Sequence, residues 1–387
     1  MTSLATTFLG YPRENGAVGV RNWVAVVSVM DNCNPVTRTI ARTVGGCIPV
    51  TTLFVRGQFG ADLDFAFESL AGLGRNPNIA AVLLVGLEES STEEVARRIR
   101  TTGKPVERVH LQPDGTVACL ADGTRKAAQL SLAASRARRV PCPVSSLVIG
   151  VECGGSDTTS GLSCNPVIGR MADMVVAEGG TVIISETSEF IGAEHLFAER
   201  AADGRVREAF VTAVRNMENL AISRGVDMRE DQPSPDNKRG GLTTVEEKAL
   251  GAMAKAGTSP LVGVLRYGEA PQKKGLHFMD APAAAVENLT ALAAGGCQLT
   301  FFGTGVGNPI GSMVAPTVKV CGNVNTLHTM ADNIDFDVSG VLQHGDKIPD
   351  LGEQLYGYAI EVASGTRLTS EVLDIRETAI SRFALSL

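Results

Sequence analysis

The feature that most constrains this chain is an alternation. Runs of β-branched residues end in small or polar residues and lead straight into stretches with helical spacing. Residues 22–29 read as a buried strand, 30–35 as its exit turn, and 36 to about 44 as a helix. Asn34 can cap that helix, and Pro35 is tolerated in its first turn, where the missing N–H would have no partner anyway. Residues 48–55 read as the next strand, 56–60 as a turn, and the following stretch through about 73 as a helix. A third strand at 79–86 precedes a helix from about 92 to 101. Strands alternating with helices of this length predict βαβ units and a parallel sheet.

The pattern resumes beyond 139–143, a short segment with two prolines, with strands expected at 146–151, 181–185, 261–266, 298–302 and 318–320. A chain of 387 residues exceeds what one core ordinarily organises, so the expected fold is α/β, as two Rossmann-like parallel-sheet domains, 1–143 and 144–387. Forty-two glycines and 5% aromatics suit tight strand-to-helix turns better than an aromatic binding face. The polar, proline- and glycine-rich stretch 231–241 is expected to be a surface loop or lid.

Charge and cysteine usage exclude several classes. A net charge of −7 gives no positive field for a phosphate backbone, so no nucleic-acid partner is expected. No apolar run approaches the roughly 20 residues that cross a bilayer, and 1–13 has no signal-peptide pattern. Eight scattered cysteines without a CxxC pair read as reduced thiols of a cytoplasmic protein.

Ligands of open α/β sheets bind beyond the carboxyl ends of the strands. The expected strand ends deliver Asp31, Asn32 and Cys33; then Glu152, Cys153, Gly154, Gly155, Ser156 and Asp157; then Glu186 with Glu189, Glu194 and His195 behind it; and then Gly303 to Asn308. Carboxylates, a thiol and a hydroxyl beside paired glycines can hold a metal and an anion together, with Glu152, Cys153, Asp157 and Cys33 as ligands. The alternative is a plain turn in which Asp157 caps a helix. Thr304, Gly305 and Asn308 sit in GTGVGNPIG, which lacks a Walker lysine and so reads as an amide cradle for a carboxylate rather than a nucleotide loop. Lys274, His277 and Asp280 place a cation, a base and an acid within one short segment.

Taken together these segments resemble the altronate/galactarate dehydratase family, which includes the large subunit of sulfolactate sulfo-lyase. The resemblance rests on GYPR at 10–13, GVRN at 19–22, NPN at 76–78, ECGGSD at 152–157, SET at 185–187, GLTT at 241–244, GLHFMD at 275–280 and the glycine loop at 303–311. It implies a lyase that takes a proton α to a carboxylate and expels a β substituent with a divalent metal, Fe²⁺ first, with Mg²⁺, Mn²⁺ or Ca²⁺ as other choices. His277, Lys274, Glu186, His195 and Asp280 are then the catalytic candidates, with His277, Lys274 and His195 for proton transfer and Glu186 also on the metal side beside Glu152, Cys153 and Asp157. Arg56, Gly154, Gly155, Ser156, Thr304, Gly305 and Asn308 are the substrate-side candidates.

Two departures bear on the substrate. Sugar-acid dehydratases of the family carry a histidine and a Gly-Cys near the second strand and a Gly-Cys-Glu after the third. This chain has Phe54-Val55-Arg56-Gly57-Gln58 and Gly86-Leu87-Glu88-Glu89 there. Arg56, a planar cation, suits a sulfonate or second carboxylate. The chain also begins almost at GYPR, without the small N-terminal domain of the single-chain enzymes. The expectation is an oligomeric large subunit with a separate small partner, releasing sulfite from a short anionic 2-hydroxy acid such as sulfolactate. The alternative is a sugar-acid hydro-lyase.

Overall fold

The computed structural model describes residues 5–386, so the first four positions of the 1–13 stretch lie outside it. Two parallel sheets dominate. The first is formed by β1 (Trp23–Ser28), β2 (Cys47–Val50), β3 (Ile79–Gly86) and β4 (Val106–His110), in the order β2-β1-β3-β4. The second is formed by β5 (Val148–Cys153), β6 (Thr181–Ile184), β7 (Leu261–Leu265), β8 (Gly275–Met279), β9 (Leu299–Thr304), β10 (Thr317–Cys321) and β11 (Phe336–Asp337). Its order is β7-β8-β6-β5-β9-β10-β11, with all neighbours parallel. In each sheet the connections turn opposite ways on the two sides of one strand, β1 in the first and β5 in the second. Loops therefore part and leave a crevice at the carboxyl ends of β1/β3 and β5/β9.

Strand alternation decides which groups each face of the second sheet buries. Ile149, Val151, Phe301, Val318 and Val320 pack in one core with helices Asn165–Ala177 and Ile348–Ala363. The opposite face carries Glu152, Phe302 and Lys319 side by side, because Phe302 pairs with Glu152 on one flank and with Lys319 on the other. The first sheet has its own core, which also takes in Ala293, Ala294, Met313, Val314, Ala315 and Ile380 from the second half of the chain.

The N-terminal motifs are the joint between the two sheets. Asn78 accepts from the amides of Val20 and Arg21 (2.8 and 3.2 Å) and donates to the carbonyls of Gln298 and Val314 (2.8 and 3.1 Å). Asn76 donates to Ala293 and Cys297, Arg13 to Pro77, and Arg21 forms a buried 2.7 Å ion pair with Glu371. Buried backbone groups at a domain seam need partners, and GYPR, GVRN and NPN supply them.

Three expectations are corrected here. Residues 275–279, read only as a segment carrying a cation, a base and an acid, form a buried strand. The first sheet has a fourth strand, Val106–His110, that the residue pattern did not announce. The 231–241 stretch contains a short helix, Pro235–Arg239, capped by the Ser234 side chain. Among the described residues no helix is long and apolar enough to cross a membrane.

Candidate functional site

The carboxyl end of β5 holds the densest group of buried charges. Glu186 follows β6 in a left-handed backbone conformation (φ 72°, ψ 63°) that a non-glycine residue adopts only against strain. Its Oε2 accepts from the Cys153 amide at 3.0 Å and pairs with Lys255 Nζ at 2.8 Å. The same Nζ lies 3.2 Å from Cys153 Sγ, and Ser156 Oγ is 3.7 Å from that sulfur. Lys255 and Glu186 are almost wholly shielded, at 0% and 1% side-chain exposure.

The titration directions follow from that burial. Desolvation pushes the Cys153 thiol up to about 12, with the Glu186 charge adding and Lys255 opposing. It also raises the Glu186 carboxyl to about 7 despite the pull of Lys255. Burial alone would lower the Lys255 ammonium, but Cys153 and Glu186 outweigh it and hold the group above the usual lysine range. On the sheet's other face Glu152 is 1% exposed, and neither carboxylate oxygen has a hydrogen-bond partner. Burial and the Glu186 charge raise it well above the carboxylate range. Lys319 lies 3.6 Å over the Phe302 ring, and burial brings it down to about 7.

A cavity of about 230 Å³ opens over this cluster, lined by Cys153, Gly154, Ser156, Glu189, Asn237 and Lys248 among others. Lys248 is paired with Glu189 at 3.0 Å. The 235–241 segment covers the turn: Asn237 donates to the Ser156 carbonyl at 2.8 Å, and the Gly240 carbonyl accepts from Thr158 N at 3.0 Å.

The glycine loops are committed to each other. The Gly155 carbonyl accepts from Gly305 N and Val306 N (3.1 and 2.9 Å), Gly154 N donates to Gly303 O, and Gly307 N donates to Thr304 Oγ1. Asn308 Oδ1 caps Ile310 N. The amides of Gly154, Gly305, Val306 and Gly307 are thus spent inside the protein, whereas those of Gly155 and Ser156 line the cavity without a protein acceptor. Asp157 accepts from Thr159 Oγ1, Ser160 N and Asn323 Nδ2 (2.6, 3.0 and 2.7 Å), the helix-capping arrangement.

Several predicted site residues lie elsewhere. Lys274 donates to the Ser145 carbonyl at the amino end of the sheet, a strand's length from Cys153. His277 faces Gly263 halfway down β8, with Nε2 on the Lys273 carbonyl and Nδ1 unpartnered. His195 is exposed on helix Glu194–Ala198. Asp280 accepts from Thr187 Oγ1, beside Glu186, but opens into a different hollow with Arg205. Cys33 is buried in the first core with Cys119 as a neighbour.

Arg56 lines a second cavity, of about 530 Å³, at the carboxyl end of the first sheet with Met30, Gln58, Glu88, Ser90 and Ser91. Arg56 is exposed and unpaired among the described residues. Gln58 is 6% exposed, and its Oε1 has no donor. Glu88 caps the helix Glu89–Arg100 through Ser90 and Ser91; burial would raise its carboxyl, but those hydrogen bonds win and lower it.

Comparison with known proteins decides the family. Residues 144–386 match the model described as D-galactarate/altronate dehydratase, C-terminal, and residues 10–135 match D-galactarate dehydratase/altronate hydrolase, second domain. The chain belongs to the D-galactarate/altronate dehydratase family. It is 43% identical to (2R)-sulfolactate sulfo-lyase subunit beta of Chromohalobacter salexigens, over 97% of both chains. Altronate dehydratase of Escherichia coli is 36% identical, over 97% of this chain and 78% of its own. Galactarate dehydratase (L-threo-forming) of the same organism is 36% identical over 60% of this chain and 44% of its own. Like these relatives, the chain is a lyase.

A divalent metal, expected from the family, does not fit the residues proposed to hold it. Among the described residues no three His, Cys, Asp or Glu groups gather closely enough. Glu152 and Cys153 project to opposite faces of the sheet, Asp157 is occupied as a cap, and Cys33 belongs to the other domain's core. Lys255, Lys319 and Lys248 are the charged groups that sequence reasoning did not single out. A lysine in Ala-Lys-Ala-Gly carries no local sign that it will be buried.

Proposed function

We propose that this chain is the large subunit of a two-subunit cytoplasmic lyase that releases sulfite from a short anionic 2-hydroxy acid, (2R)-sulfolactate first. The observation that carries this reading is the 43% identity to the beta subunit of such an enzyme over 97% of both chains, against 36% to altronate dehydratase. A base takes the C2 proton, the C2–H pair becomes the C2=C3 bond, and the C3–S bond breaks with its pair leaving on sulfite. The resulting enol gains a proton at C3 and loses its hydroxyl proton to become pyruvate.

The substrate is a dianion, and the two cavities differ in what they offer it. Glu189 already neutralises Lys248 in the smaller one, whereas Arg56 has no ion-pair partner among the described residues, the Glu88 carboxylate of its cavity being held by Ser90 and Ser91. We assign the sulfonate or carboxylate to Arg56, which lines the larger cavity and can bind either in a bidentate way.

Assaying the chain with its small subunit on sulfolactate and on altronate or galactarate tests the reaction. Sulfite and pyruvate are expected; a 2-keto-3-deoxy acid instead would establish the hydro-lyase. Arg56→Ala is expected to raise KM about 10–100-fold, the worth of one charge-assisted pair. An unchanged KM in that variant, with a raised KM in Lys248→Met, would move the substrate to the smaller cavity.

A further inference from the structure

We propose that the resident cation beside Cys153 and Glu186 is the Lys255 ammonium, and that these two side chains are its ligands rather than ligands of a divalent metal. The inference goes beyond the assignment of the reaction and holds whichever cavity takes the substrate. Lys255 Nζ lies 3.2 Å from Cys153 Sγ and 2.8 Å from Glu186 Oε2, the groups a thiolate–carboxylate metal site would use. Its position is built in from both sides. A side chain on Gly169 would collide with the Ala254 carbonyl, so only glycine lets the Ala254–Ala256 turn sit against helix Asn165–Ala177. Asp173, on that helix, accepts from the amides of Thr258 and Ser259 (2.8 to 2.9 Å) and from both their hydroxyls, which pins the turn's exit. The lysine stem therefore enters the sheet end from a fixed point. Its ammonium fills the gap between sulfur and carboxylate, and the Cys153 amide completes the shell of the same Glu186 oxygen.

A divalent ion at this point would have to displace the ammonium and meet its repulsion. Lys255 is thus a positioning residue: it fixes the Glu186 carboxylate and the Cys153 sulfur at the floor of the cavity.

The test uses Co²⁺ alone as probe on the chain purified with its small partner, reading sulfur-to-cobalt charge-transfer absorption. Wild type and Cys153→Ser are expected to give the same spectrum, with no band that depends on Cys153. A wild-type band abolished by Cys153→Ser would overturn the proposal. Lys255→Met, in which the ammonium is gone, is expected to gain a Cys153-dependent band. The wild-type comparison decides alone if that variant does not fold. Neither result depends on substrate turnover, so a failed sulfolactate assay and a failed cobalt test remain separate outcomes.

Discussion

Replacing Lys255 with methionine is expected to lower the unfolding free energy at pH 8 by about 3–5 kcal/mol, the cost of leaving one member of a buried ion pair without the other. The side chain is 0% exposed and Glu186 1%, so water cannot take over the lost contact. Methionine has much the same length, which keeps the cavity term small and isolates the electrostatic one. The companion variant is Glu186→Gln with Lys255→Met. Removing both charges avoids the orphaned carboxylate, so the double variant should recover much of the lost stability. Chemical denaturation of the wild type, both single variants and the double variant supplies the cycle. Additive losses would mean that the two groups do not interact as the 2.8 Å contact requires. The left-handed backbone at Glu186 adds a second expectation: freed from Lys255, the residue has less to hold it in a strained conformation, and the loop from 186 to 191 should exchange its amides faster.

The sheets were legible because their strands are nearly continuous β-branched runs, the signature of strands buried on both faces. Trp23–Ser28, Ile79–Gly86 and Val148–Cys153 fall within a residue or two of the expected positions. The strand Gly275–Met279 was not, because a histidine and flanking lysines and aspartate gave it the look of an active-site loop. Its His277 is accommodated only because the neighbouring strand has Gly263 opposite the ring. The short helix at Pro235–Arg239 had a readable start, serine before proline, but sits in a stretch whose prolines and glycines pointed to a loop. At the site, Glu152, Cys153 and Glu186 were identifiable as residues at strand ends. What was not read is that the strand runs on to Cys153, two residues past its expected end, so that alternation puts Glu152 and Cys153 on opposite faces. Lys255 was out of reach for a different reason. Its burial is imposed by Gly169 and Asp173, more than eighty positions away in the chain, and no local pattern encodes such a contact.

Glu152 is the place where this separation has the clearest measurable consequence. Its carboxyl is buried, both oxygens lack partners, and burial followed by the Glu186 charge raises it well above the ordinary 4.5. The folded chain therefore keeps a proton that the unfolded chain releases once pH passes 4.5. Stability must fall as pH rises from there, by up to about 1.4 kcal/mol per pH unit for one such proton. The loss accumulates over the window that opens at 4.5. Glu186, raised to about 7, acts in the same sense over the same window. Buried His277, lowered from its ordinary 6.5, acts oppositely below that pH, and Lys319, lowered to about 7, acts oppositely above pH 7. The wild-type profile is therefore a sum, and the difference between wild type and Glu152→Gln isolates the Glu152 part. Glutamine keeps the shape and cannot ionise, so the variant should match the wild type near pH 4.5 and exceed it increasingly toward pH 7, read as unfolding free energy at fixed temperature. A difference that stays flat with pH would mean that Glu152 ionises in the folded chain much as it does in water. It would then have a cationic partner within reach on that face of the sheet, and the Lys319 ammonium, folded over the intervening Phe302 ring, is the group that would have to swing across to meet it.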